Sequence, residues 1–152
     1  MDFMKIALSE AKIGSDKGDG GPFGAVIVKD NKVVAKAHNC VLKTNDPTCH
    51  AEIFAIRKAC KKLSRFDLSD CELYTNCEPC PMCFSAIMWA KIRKVYYVCT
   101  RDDAAKIGFD DKLIYDVIEG KKKGKIKSVR LDLPECRDFF YSWKDKKDKK
   151  MY

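Results

Sequence analysis

The run EPCPMC, residues 78–83, constrains what this chain can fold into more than any other stretch. Its Cys80-x-x-Cys83 pair either closes a redox disulfide or supplies half of a metal site, because two thiolates alone seldom satisfy a metal. A zinc ribbon would add a second such pair, and none stands at a suitable distance. Cys77, Cys80 and Cys83 repeat the spacing that opens a bacterial ferredoxin run, but Ile87 occupies the fourth ligand position. A thioredoxin-type dithiol stays open, since the pair follows a strand-like ELYT and begins a helix. The metal reading requires a further ligand from elsewhere in the chain.

Only His38 and His50 are available as imidazole ligands. On the second strand His38 shares a face with Val34 and Lys36, where a satisfied or solvated ring is the simpler account. His50 opens an apolar helix (Ala51, Ile53, Phe54, Ile56) that has no use for a polar neighbour. Helix N-termini carry unpaired N–H groups and the positive dipole end, which favour thiolate and carboxylate. Two such ends facing each other can bring His50, Cys80 and Cys83 onto one zinc and leave a tetrahedral position for water. Glu52 lies about 200° around the helix from His50, so it is read as a proton-handling neighbour of that water and not as a ligand.

The remaining text describes one α/β domain over residues 1–152. Apolar positions Met4, Ala7, Leu8 and Ala11 predict a helix over 2–14, and FGAVIVKDNKVVAKAHNCVL predicts a hairpin turning at Asp30-Asn31. NDPTCHAEIFAIRKACKKL reads as a helix with Asp46 as N-cap and Pro47 in its first turn. CELYTN and KVYYVCT are strands on either side of a Pro-started helix, SVRLDL is a candidate edge strand, and a last helix spans Pro134 to about Lys147. The expected architecture is a three-layer α-β-α sandwich around a mixed, five-stranded sheet.

Composition narrows the setting. No run is apolar and long enough for a signal peptide or membrane span, so a cytoplasmic protein is expected. The nine cysteines are an odd number and several sit in apolar runs, which argues for reduced thiols. Cys40, Cys49, Cys60, Cys71, Cys99 and Cys136 show no ligand spacing and are read as packing residues. The net charge of +8 is concentrated in KKKGK and KDKKDKK, a pattern of solvated surface more than of a nucleic-acid groove.

His-x-Glu followed by Pro-Cys-x-x-Cys, here His50, Glu52, Pro79, Cys80 and Cys83, is the signature of zinc deaminases. Through it the chain resembles the cytidine-deaminase-like superfamily over nearly its full length. Through GGPFGAVIVKD, NDPTCHAE, EPCPMC, GFDD with IYD, and a C-terminal Trp followed by a terminal Tyr, it resembles the bacterial guanine deaminases within that superfamily. The resemblance implies one zinc per chain held by His50, Cys80 and Cys83, with Glu52 as proton shuttle. It implies that Phe23 and Trp89 wall a base pocket, that Asn39 hydrogen-bonds the ring, and that Asp111 and Tyr152 belong to pocket or lid. It further implies hydrolysis of guanine to xanthine and ammonia, in a homodimer whose C-terminal helix and tail, about 134–152, cross to the partner. The alternatives are a tRNA adenosine deaminase, a deaminase of cytosine or another base or nucleoside, a nucleic-acid module with structural zinc, and a metal-free dithiol oxidoreductase.

Overall fold

The computed structural model describes residues 2–151. Asp2 caps helix α1 (Phe3–Asp16), its carboxylate accepting the Lys5 N–H at 3.2 Å and satisfying one donor that a helix start leaves open. Phe3, Ala7, Ala11 and Gly14 follow at helical intervals and form its buried stripe. Strands β1 (Gly24–Lys29) and β2 (Lys32–His38) pair antiparallel across Asp30 and Asn31, whose φ values of 49° and 56° suit a two-residue hairpin turn.

β1 is central. It pairs antiparallel with β2 and with β3 (Glu72–Thr75), and β3 pairs parallel with β4 (Lys94–Tyr96), giving the order β2-β1-β3-β4. Alternation along β1 sends Ala25 and Ile27 to one face and Val26 and Val28 to the other. The first pair joins Ala51, Ala55 and Ala59 of α3 (Ala51–Leu63) and Ile87 of α4 (Pro81–Trp89); the second joins Phe3 and Ala7 of α1. Helices therefore cover both faces, and the three-layer expectation holds. Fully buried Ile27, Leu73, Val26 and Val28 each contribute about 1.5–3 kcal/mol by leaving water. The alanine face of α3 meets Ala35 and Ala37 of β2, which lets that helix lie close to the sheet.

Three local expectations are corrected. The sheet has four strands, not five: SVRLDL is irregular, with Val129 and Leu131 65% and 83% exposed. Its β-rich composition expresses a preference for a half-buried pleated surface, and this segment has none to lie on. Helix α3 starts at Ala51, not beside Asp46, because the Asp46 carboxylate is taken by the N–H and hydroxyl of Thr48 at 2.8 and 2.7 Å. The resulting tight turn leaves His50 as N-cap with no side-chain capping bond. Cys99 and Cys136 are exposed and so are not packing residues.

Beyond β4, a single parallel bridge between Cys77 and Cys99 extends the sheet toward short helices α5 (Arg101–Lys106) and α6 (Lys112–Ile118). The chain ends in α7 (Pro134–Ser142) and a 3-10 turn (Trp143–Asp145) with no buried residue in either. The four-residue helix α2 (Val41–Thr44) links β2 to the α3 entry. Among the described residues no helix is long and apolar enough to cross a membrane.

Candidate active site

The N-termini of α3 and α4 converge. His50 and Cys80 are the two N-caps, with extended backbones (ψ 157° and 167°) and no side-chain capping bonds, so both side chains are free to turn toward each other. Pro81 begins α4 without needing an N–H partner, and Cys83 follows in its first turn. The His50 Nδ1 lies 3.6 Å from Cys80 Sγ and 3.5 Å from Cys83 Sγ. An ion held tetrahedrally at zinc distances sets its nitrogen and sulfur donors roughly 3.6 Å apart. One imidazole and two thiolates, at that spacing, fit zinc in chemistry and in size.

Charge is strained in this cluster when only protons are present. A hydrogen bond from Cys83 holds Cys80 down to about 4, with His50 adding to the effect against the cost of burial. The same pairing, with burial, pushes Cys83 far up. His50 is raised by its bond to Cys80. A dication relieves this arrangement by letting both sulfurs ionise.

Glu52 stands against the cluster, 5% exposed, with Oε2 accepting from Cys83 Sγ at 3.5 Å and Oε1 from the buried Thr75 hydroxyl at 3.4 Å. Burial raises its pKa above the carboxylate range, and the nearby Cys80 thiolate adds to the shift. A carboxyl group moved toward neutrality suits proton transfer in both directions.

In front of these groups opens a cavity of about 710 Å³. The structure brings Phe23, Asn39, His50, Glu52, Cys80 and Asp111 to its wall. Phe23 meets Phe109 edge-on, ring centres 4.9 Å apart at 86°, so the two rings form an apolar corner. Asn39 lines the cavity and is 4% exposed; its Oδ1 accepts from the Val41 N–H at 3.2 Å, so Nδ2 is the atom it has to donate with. Burial raises the Asp111 pKa, and the Cys80 thiolate adds to it.

Trp89 is placed elsewhere: it is 66% exposed at the end of α4 and does not line the cavity. The reason is helical phase, since Trp89 lies about 200° around from Ile87, which faces the sheet. Tyr152 lies outside the described residues.

Several further positions shape the site. Phe109 completes the aromatic corner; its place two residues before Asp111 in GFDD was the available signal. Asn76 fixes the Phe23 loop from both sides, donating from Nδ2 to Pro22 O at 2.9 Å and accepting the Gly24 N–H at 2.8 Å. Gly20 lets Asn39 fit, because a Cβ there would sit 2.0 Å from Asn39 Oδ1. No local pattern announces either of these. Arg101 also reaches the cavity, with its guanidinium over the Tyr115 ring at 4.8 Å and its backbone N–H donating to Glu78 Oε2 at 3.0 Å.

Residues 1–99 match the family described as the cytidine and deoxycytidylate deaminase zinc-binding region. The chain is 48% identical over 151 residues to a guanine deaminase of Bacillus subtilis, covering 99% of this chain and 97% of that one. The X-ray structure of a Bacillus subtilis guanine deaminase superposes with a TM-score of 0.93 over 99% of this chain and 96% of that one, at 48% identity. A guanine deaminase from Nitrosomonas europaea superposes with a TM-score of 0.66 at 34% identity, over 72% of this chain and 63% of the other. A tRNA-specific adenosine deaminase of Aquifex aeolicus is 47% identical over 95 residues, 62% of each chain.

Proposed function

Since the chain belongs to the cytidine and deoxycytidylate deaminase zinc-binding family, a family of hydrolytic deaminases, we propose that it converts guanine and water to xanthine and ammonia. The observation that carries this reading is the cavity, where an aromatic corner and the Asn39 donor stand beside the His50, Cys80, Cys83 and Glu52 cluster. The extent of the likeness favours a free base over RNA: the match to a guanine deaminase runs over 99% of the chain, that to a tRNA deaminase over 62%.

His50, Cys80 and Cys83 would hold one zinc. When bound, zinc supplies Lewis acidity that brings the pKa of water at an open position toward neutrality. Glu52 takes the proton of the attacking water and returns it to the ring nitrogen beside the carbon that bears the amine. A second proton, also carried by Glu52, leaves with the amine as ammonia, so the carboxyl group ends as it began. Thr75 holds the carboxyl group by its hydroxyl throughout. Phe23 and Phe109, as an apolar corner, take one face and one edge of a flat heterocycle and keep water off them. Asn39 donates from Nδ2 to a ring acceptor, and Asp111, on the same cavity wall, meets a further polar edge of the base.

Asn39→Ala is expected to lower kcat/KM about 30- to 100-fold with zinc content unchanged, the cost of leaving a buried substrate acceptor unpaired. Steady-state kinetics with guanine checks this, and wild-type values in the variant would remove Asn39 from substrate binding. The activity itself is tested by ammonia release with guanine, adenine, cytosine, cytidine, guanosine and tRNA offered in parallel. Turnover on tRNA alone would replace the present reading with RNA editing.

The reading extends to a homodimer in which residues 134–152 cross to the partner and help close its site. Supporting it, Phe139 and Phe140 are 80% and 75% exposed on α7, and Phe84, Met88 and Trp89 lie exposed on α4. Uncovered rings on this scale call for a partner surface. Light scattering after gel filtration is expected to give about twice the chain mass of 17.3 kDa. A single-chain mass at micromolar concentration would count against the exchange. Action in the cytoplasm follows from the same reading, since its thiols must stay reduced to bind zinc.

A further inference from the structure

Asp19, His38 and Cys40 bring their donor atoms within 4.8 Å of one another. These residues flank the cavity wall from behind. Asp19 precedes Gly20, while His38 and Cys40 stand on either side of Asn39, and alternation along extended chain turns them away from the cavity that Asn39 faces. We propose that they form a second site for a divalent transition metal of the zinc class, one that braces the Gly20 and Asn39 wall.

The position of each donor is set by backbone and packing. The Asp19 N–H closes the end of α1 on Gly14 O at 2.9 Å, and Asp19 O accepts the N–H groups of Leu42 and Lys43 at 3.1 and 3.0 Å. The Cys40 N–H is held by Cys49 O at 2.9 Å. The His38 ring lies on the backbone of α1, where a Cβ on Gly14 would come within 2.5 Å of its Cδ2, so the helix gives up a side chain to seat the imidazole. Asp19 and Cys40 are 7% and 3% exposed.

The hydrogen bonding points to a cation. His38 Nδ1 lies 3.3 Å from Glu10 Oε2, and Nε2 lies 2.9 Å from Asp19 Oδ2. A neutral imidazole donates from one ring nitrogen only. With Nδ1–H given to Glu10, the Nε2 lone pair faces a carboxylate oxygen, and two acceptors need positive charge between them. An imidazolium supplies it, and so does a metal ion. Cys40 favours the ion: beyond the packing use read from its lack of ligand spacing, its sulfur lies within 4.8 Å of both other donors and completes a nitrogen, oxygen and sulfur set suited to zinc. Glu10 then has the role of the carboxylate that orients a metal-bound histidine through its other nitrogen, and Lys36, 3.0 Å away, balances Glu10. Lys43 Nζ, 3.1 Å from Asp19 Oδ2, is the cation now nearest the site; its side chain is 58% exposed and has solvent to withdraw into.

The test is a zinc count. Wild-type protein and the Cys40→Ser, Asp19→Asn and His50→Ala variants are stripped by chelation under reducing conditions, reloaded with zinc, desalted and assayed by mass spectrometry for metal. Cys40→Ser and Asp19→Asn each carry one equivalent less than wild type, whatever the site at His50 holds. Equal zinc in wild type, Cys40→Ser and Asp19→Asn overturns the proposal. Loss in His50→Ala reports separately on the other cluster, so failure of one reading is not mistaken for failure of the other. Should Cys40→Ser not fold, Asp19→Asn decides alone, supported by Lys43→Ala, which keeps all three donors and retains the extra equivalent. Absence of that equivalent from Lys43→Ala also overturns the proposal.

Discussion

Glu52→Gln is expected to lower kcat for guanine about 10³- to 10⁴-fold while zinc content stays at the wild-type level. Glutamine matches the carboxyl group in size and still accepts the Thr75 hydroxyl, so the pocket keeps its shape. What it lacks is the capacity to take and return a proton. The three proposed ligands are untouched, and metal analysis separates loss of proton transfer from loss of the site. Stability should not fall. Burial raises the Glu52 pKa above its ordinary 4.5, so in zinc-free protein the group favours the folded state while protonated and loses that favour as pH rises through its shifted value. Near neutrality an amide is the cheaper occupant, and thermal unfolding of Glu52→Gln should match or exceed wild type. Turnover near the wild-type rate with a full complement of zinc would take Glu52 out of the mechanism.

His50→Ala is expected to lose one equivalent of zinc and activity together, and to lose the stabilisation that zinc gives wild type. With zinc at about a thousand times its dissociation constant, that stabilisation is about 4 kcal/mol, or roughly 10 °C in Tm for a domain of this size. Without the imidazole two thiols remain, one of them pushed far up by its bonded neighbour and by burial. Such a pair holds an ion poorly, since two thiolates leave it under-coordinated. Metal analysis with a thermal-shift titration reads both effects at once. Unaltered zinc in His50→Ala would mean that another donor completes the set.

The first of these substitutions alters a proton path and the second a ligand. The two residues sit two positions apart in the chain, at the start of one helix. The separation of roles comes from direction: the His50 ring turns from the N-cap toward Cys80 and Cys83, while Glu52 enters from the first turn and meets Cys83 and Thr75. A spacing of two residues in a helix start cannot place both side chains on one point, and here it gives one ion site with a carboxyl group beside it.

Short-range features were legible because short-range physics decides them. The hairpin at Asp30-Asn31 depends on two residues that tolerate positive φ, and α1 and α4 depend on a cap, a proline and an apolar stripe. The start of α3 is not legible locally because Asp46 has two uses, capping a helix or closing a turn, and Thr48 two residues on decides for the turn. SVRLDL carries strand composition, but strand formation needs a neighbouring edge, and composition does not say whether one is available. Resemblance implies Trp89 in the pocket wall, but the phase of a nine-residue helix turns it outward.

By itself the sequence determined which groups could do chemistry: two histidines and the Cys80-x-x-Cys83 pair with donor types that zinc accepts, and a carboxylate at a helix start able to move a proton. It could do so because ligand chemistry belongs to the side chain. Only the tertiary structure decided that helix starts 30 residues apart meet at 3.6 Å, that Phe109 and Asn76 shape the pocket, and that Asp19, His38 and Cys40 gather behind it. Those facts depend on how α1, α3 and α4 pack on the two faces of β1. Convergence of that kind follows from the whole core and is written in no single stretch of the chain.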